Sequence, residues 1–213
     1  MRLEKGQQLL IKSGALILLL WIFAWTSPLP FPEKILSMIS LVGAAFLIGN
    51  LQLKIPEGTF HPNLWIWRKN LGWYMLGTVL MSLLLSTFAR HTSGLALIPV
   101  QIGQFVYVAV LIGIIEEIVF RGYVQGAAAV LDSKFAVIFA ALGHSGYKAF
   151  LFVNQEQSID ISLTHLFGVT FAVGILLGLS RYWSGSLWPA VIAHAFFDFW
   201  LYGDLDIAPW WVW

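Results

Sequence analysis

The sequence predicts an all-α fold, a polytopic bundle of membrane helices, on three observations. Of 213 residues, 59% are apolar and only 11% are charged, against about 45–50% and about 25% in ordinary soluble domains. Apolar runs close to 20 residues long recur along the chain, the length a helix needs to cross a hydrocarbon core about 30 Å thick. Eleven tryptophans and sixteen phenylalanines suit a protein that meets lipid at its surface.

The same figures remove several classes. With no cysteine, the chain has no disulfide scaffold, thiol nucleophile or thiolate metal site. A net charge of +1 provides no field that favours nucleic acid. The expected surroundings are the lipid bilayer, with no nucleic-acid partner.

Seven runs qualify as spans: 9–25, 35–53, 71–89, 100–120, 135–153, 161–179 and 186–202. The first follows Arg2, Lys5 and Lys12 but is long for a signal-peptide core, and Thr26, Ser27 and Pro28 make a poor cleavage site, so it reads as a retained helix. Pro28, Pro30 and Pro32 end it, because proline lacks a donor and clashes with the preceding turn. Pro56, Gly58 and Pro62 break the second connection, and Ser184, Gly185 and Ser186 make a tight link before the last run. Trp21, Trp25, Trp65, Trp67, Trp73, Trp183 and Trp188 lie near run ends, where interfacial anchors belong.

Orientation follows from the lysines and arginines. With the N-terminus cytoplasmic, the inner segments hold Arg2, Lys5, Lys12, Lys54, Arg68, Lys69, Arg121, Lys134 and Arg181, while the outer loops hold only Lys34 and Arg90. Glu156, Asp160, Asp204 and Asp206 fall outside. About seven helices, N-terminus in and C-terminus out, is the expected topology, with the tail 209–213 at the outer interface. Residues 1–94 hold three helices with few ionisable groups, a scaffold; residues 95–213 hold four helices that carry them, in one bundle overall.

A charge at the bilayer centre costs about 2.5–3.5 kcal/mol on insertion scales, so intramembrane ionisable groups point to function. The fourth run reaches Glu116 and Glu117, then Arg121. Spacing of four lets Glu117 pair with Arg121, while Glu116 points about 100° away. Two adjacent carboxylates oppose joint ionisation, which suits one of them to general-base work. His144 lies within the fifth run between Gly143, Ser145 and Gly146, small residues that permit close helix packing or approach of a substrate backbone. In the seventh run His194 and Asp198 share a face, so the carboxylate could accept a ring N–H and fix the tautomer. Each element alone also reads as a surface pair or as polar glue between helices. Depth joins them. At 1.5 Å per residue, Glu116, His144 and His194 lie roughly 8, 15 and 12 Å from the inner surface. Three helices could then present an acid and two imidazoles to one cavity open to the cytosol.

Glu116-Glu117-x-x-x-Arg121, then His144, then His194-x-x-x-Asp198 resemble the three signatures of the CAAX prenyl protease 2-like, or CAAX-protease and bacteriocin-processing (Abi-type), intramembrane proteases. The resemblance spans about half the chain, from Val100 to Tyr202. Ala140 stands where the family's second signature has phenylalanine, with Phe139 adjacent; an altered pocket shape is expected rather than lost chemistry. Asp198 fits the third signature, which ends in Asn or Asp.

The resemblance implies an intramembrane endopeptidase acting on a membrane-associated or lipidated protein or peptide, in a bacterial or archaeal plasma membrane. It implies a catalytic set of Glu116, His144, His194 and Asp198, supported by Glu117 and Arg121. In a glutamate scheme Glu116 deprotonates water, His144 helps to place it, and His194 with Asp198 polarises the scissile carbonyl or stabilises the oxyanion. In a metal scheme Glu116, His144 and His194 form the His₂Glu set of a catalytic zinc site. No His-Glu-x-x-His helix encodes zinc locally, and the glutamate scheme is favoured. Ser145 beside His144 lacks a base at helical spacing, which argues against a serine enzyme. The competing class is non-catalytic: an immunity or scaffold protein, or an ion-coupled transporter, for which inverted repeats and paired broken helices are missing. Lys148 and Asp132 have no assigned role.

Overall fold

Apolar runs and the proline and glycine breaks between them fold into antiparallel helical rods. The structure, a computed structural model, describes residues 2–54, 69–92, 94–154 and 162–206, with side chains from Gly6 to Leu51 in the first segment. The connection holding Pro56, His61, Trp65, Trp67 and Arg68, the acids Glu156 and Asp160, and the tail 209–213 lie outside them. In order come α1 (Arg2–Thr26), α2 (Lys34–Lys54), α3 (Leu71–Thr92), α4 (Phe105–Glu117), a π-helical segment (Ile118–Val124), α5 (Gln125–Ala128), α6 (Ser133–Val153), α7 (Leu163–Ser184) and α8 (Trp188–Tyr202). No strand occurs among the described residues.

Among the described residues five helices, α1, α2, α3, α6 and α7, are long and apolar enough to cross a bilayer. The other two expected spans fold as shorter pieces. The fourth rod keeps α-helical bonding for 13 residues and passes into π geometry directly after Glu117. The last helix has 15 residues, about 22 Å of rise. Local chemistry sets several ends. Asp132 caps α6 by accepting from the Phe135 amide at 2.6 Å, which gives that residue a role. Gly185, at φ 63°, closes α7 with its N–H on the Arg181 carbonyl, a left-handed position that glycine adopts without penalty.

The rods alternate in direction. At the near end α1, α6 and α8 begin and α7 finishes; at the far end α3, α6 and α8 finish and α4 and α7 begin. Leu16, Ile17, Leu20, Ala44, Leu51, Phe120, Val124 and Ala140 form one buried core, so α1 and α2 pack directly on the rod that carries the glutamates. Trp21 departs from its expected place at an interface. Its Nε1 donates to the Gly143 carbonyl at 2.8 Å, and a Cβ on Gly146 would lie 2.5 Å from its ring. The small residues around His144 thus serve the close approach of α1 to α6. Trp25, Trp73 and Trp183 are exposed, as are Val42, Phe46, Leu84 and Phe88 at 67–71%, an apolar exterior suited to lipid.

A buried arginine ties the far end together. Arg90, 0% exposed, donates to the carbonyls of Ala96 (2.6 Å), Trp200 (3.0 Å) and Leu201 (3.1 Å) and pairs with Asp204. Asp204 in turn accepts from the amides of Val100 (2.6 Å) and Gln101 (3.1 Å). Arg90→Met is expected to lower stability by about 2–4 kcal/mol, because it leaves three carbonyls and Asp204 Oδ2 without their donor. Desolvation opposes ionisation of Asp204, but the hydrogen bonds from Arg90 and the two amides outweigh it and hold the carboxyl below the usual carboxylate range. A lowered folded-state value adds stability above the unfolded-state value, which is lost as pH falls through the lowered one. Thermal unfolding in micelles should therefore show a midpoint that drops in acid. The drop should be shallower in Asp204→Asn.

Candidate active site

Glu116 and Glu117 close α4, adjacent on the chain and about 100° apart around the helix. This rotation gives them different partners. Glu117, 0% exposed, takes Arg121 Nη1 on its Oε1 at 2.9 Å, the pair anticipated from spacing. The same Oε1 accepts Nδ1–H of His194 from α8 at 2.8 Å. Glu116 turns to α6: its Oε2 meets His144 Nε2 at 3.2 Å, and its Oε1 meets Lys148 Nζ at 2.6 Å.

Hydrogen-bond chemistry fixes both imidazoles. Arg121 only donates, so its Nη1 contact with His144 Nδ1 at 3.1 Å makes Nδ1 the acceptor, and Nε2–H is the donor to Glu116. In His194 the proton on Nδ1 goes to Glu117, which leaves Nε2 facing Glu116 Oε2 at 3.8 Å and Asp198 Oδ2 at 3.6 Å. Both distances are too long for a direct hydrogen bond. The expected ring N–H to Asp198 is therefore not made. Glu117, on another helix, orients His194, because the two helices bring it to the opposite ring nitrogen.

The six residues expected at the site thus converge from three helical rods, and the structure adds others. Lys148, four residues after His144 and on its face, is the cation that neutralises Glu116. Gly113, four residues before Glu117, brings α8 close: a Cβ there would collide with Asp198 Oδ2 and lie 3.1 Å from His194 Cδ2. Phe120 supplies the aromatic wall, its ring 4.8 Å from that of His144. Phe139, expected to replace the missing phenylalanine, instead stacks on Phe135 at 5.6 Å. Spacing could have flagged Lys148 and Gly113; nothing in the sequence marked Phe120. His91 and His165 are exposed and are not among the residues that line the cavity.

A cavity of about 310 Å³ rises from this polar floor. His144, Lys148, His194 and Asp198 face it below, and Leu151, Val169, Val173, Leu177, Phe197 and Leu201 line its sides. The walls come from the C-terminal half of α6, much of α7 and the C-terminal half of α8, so the cavity runs toward the far end. The opposite direction leads to the near end, the expected cytoplasmic side. Arg121, Phe120 and the α1–α6 contact fill that direction.

Residues 98–200 match the family model described as Type II CAAX prenyl endopeptidase Rce1-like. No curated protein and no solved structure matches the chain. The matched stretch holds α4, the π-helical segment, α5, α6, α7 and most of α8, hence every polar residue of the site. Through those helices, just under half of its length, this all-helical integral membrane protein is similar to the Rce1-like family.

Proposed function

We propose that the protein is an intramembrane endopeptidase that hydrolyses a peptide bond of a membrane-associated or lipidated protein by a glutamate-activated water. One observation carries the reading: His194 and Asp198 line an apolar cavity, and Glu116 Oε2 lies behind them, 3.8 Å from a His194 Nε2 that is itself 3.6 Å from Asp198 Oδ2, with no direct bond among the three. A water within reach of Nε2 can also reach both carboxylates. Its oxygen attacks the scissile carbonyl carbon while its proton passes to Glu116. Collapse of the tetrahedral intermediate breaks the C–N bond as that proton passes to the leaving nitrogen. His144 holds Glu116 in place, and Glu117 with Arg121 holds His194, which favours Glu116 over Glu117 as the base. The apolar walls suit a lipid-borne or hydrophobic peptide, as the name of the matched family also suggests. The lysine and arginine distribution supports a cytoplasmic N-terminus. The cavity then lies in the outer half of the bilayer, reached sideways from lipid or from outside.

A zinc ion on Glu116, His144 and His194 does not fit this arrangement. His144 offers a protonated Nε2 to Glu116, and the Lys148 ammonium already sits against that carboxylate. Among the described residues no three such donors converge as ligands. The reaction we propose needs no metal: protein purified with far less than one zinc per chain should cleave at the full rate. Activity that tracks bound metal would reverse this. Cleavage of membrane-anchored peptides by purified protein in vesicles tests the whole reading. An immunity or scaffold role would leave biological protection intact in the Glu116→Gln form.

A further inference from the structure

A peptidase must place a hydrogen-bond donor where the carbonyl oxygen becomes an oxyanion. Besides the neutral hydroxyls of Ser82, Thr170 and Tyr202, the polar lining of the cavity leaves few choices. His144 has its Nε2–H committed to Glu116, and His194 has its Nδ1–H committed to Glu117. Asp198, where the related signature also allows asparagine, offers a carboxylate, which when ionised accepts and repels negative charge. Lys148 differs from these. It is the only lysine or arginine among the cavity-lining residues, its side chain is 27% exposed there, and its Nζ rests 2.6 Å from Glu116 Oε1. An ammonium carries three N–H groups; contact with one carboxylate oxygen leaves others for the cavity. Its position four residues past His144 sets it beside the imidazole, among the residues that line the cavity.

We infer that Lys148 is a catalytic residue: its ammonium donates to the scissile carbonyl oxygen and stabilises the oxyanion formed when the Glu116-activated water attacks. This rests on the peptidase reading and extends it. Lys148 bridges the two charged ends of the step. It holds Glu116 before attack and takes up the developing oxygen charge as Glu116 gains the proton and loses its own. The charge Lys148 must balance thus moves from one contact to the other.

The chain's lack of cysteine makes the test specific, since Lys148→Cys introduces a single thiol. Alkylation with bromoethylamine restores an ammonium at the length of lysine, and alkylation with bromopropane restores the length without the charge. In full-length protein in vesicles, Lys148→Cys is expected to lose about 10²–10³-fold in kcat, with KM moved only a few-fold. Aminoethylation should recover kcat and propylation should not. Equal recovery by both reagents, or an undiminished Lys148→Cys enzyme, would overturn the assignment. If Glu116→Gln is inactive while Lys148→Cys is active, the peptidase reading survives and this inference fails; an active Glu116→Gln removes the reading itself. A binding measurement decides without turnover. Wild-type protein should bind a peptide phosphinate, tetrahedral and anionic, more tightly than the matched amide, and Lys148→Met should bind both alike. Equal binding of the two by wild-type protein also overturns it.

Discussion

Glu116→Gln is expected to lower kcat by about 10³-fold or more, the upper range of what a positioned general base contributes. Glutamine keeps the volume and can still accept from His144, so insertion and folding should hold. What disappears is the ability to take a proton from water. Glu117→Gln should behave differently. Glu117 lies under the site, fully buried between Arg121 and His194. Its loss leaves the arginine without its carboxylate, so both stability and activity should fall. Turnover numbers beside thermal midpoints separate the two cases. A Glu116→Gln enzyme with wild-type kcat would falsify the glutamate mechanism.

Gly113→Ala is expected to cost about 10²-fold in kcat, the scale of a misplacement near 1 Å at a reacting centre. The added methyl group meets Asp198 Oδ2 and His194 Cδ2. The far ends of α4 and α8 cannot yield easily, because the Gly103 amide donates to the Gly203 carbonyl at 2.7 Å and the Phe105 amide to the Leu205 carbonyl at 3.2 Å. The strain therefore falls on the His194 and Asp198 side chains. Alanine is also the better helix former by about 0.8–1 kcal/mol, which offsets part of the overpacking cost of about 1–3 kcal/mol. The diagnostic result is a large loss of kcat beside a small change in thermal midpoint. Unchanged kcat in Gly113→Ala would mean that the spacing of α4 and α8 is not critical to the chemistry.

These residues show how far one-dimensional reading reaches. The helices at 34–54, 71–92 and 133–153 follow the apolar runs within a few residues. The Glu117–Arg121 pair was legible because both partners sit on one helix, where spacing alone sets the distance. The depths of Glu116, His144 and His194 agreed because rise per residue is fixed. Lys148 carried the same signal, four residues from His144. Its partner was invisible, since nothing along α6 says which side chain of α4 it faces.

Hydrophobic length, proline and glycine breaks and four-residue spacing therefore determined the all-helical membrane fold and the acid and imidazoles at one level. The tertiary structure decided the rest: Glu117 rather than Asp198 as the partner of His194, Phe120 rather than Phe139 against His144, Trp21 inside the bundle, and a cavity toward the far end. The reason is rotational. Periodicity within a helix orders its own faces, but the angle at which two helices meet depends on where small residues such as Gly113, Gly143 and Gly146 let backbones approach, and that is a property of both helices at once.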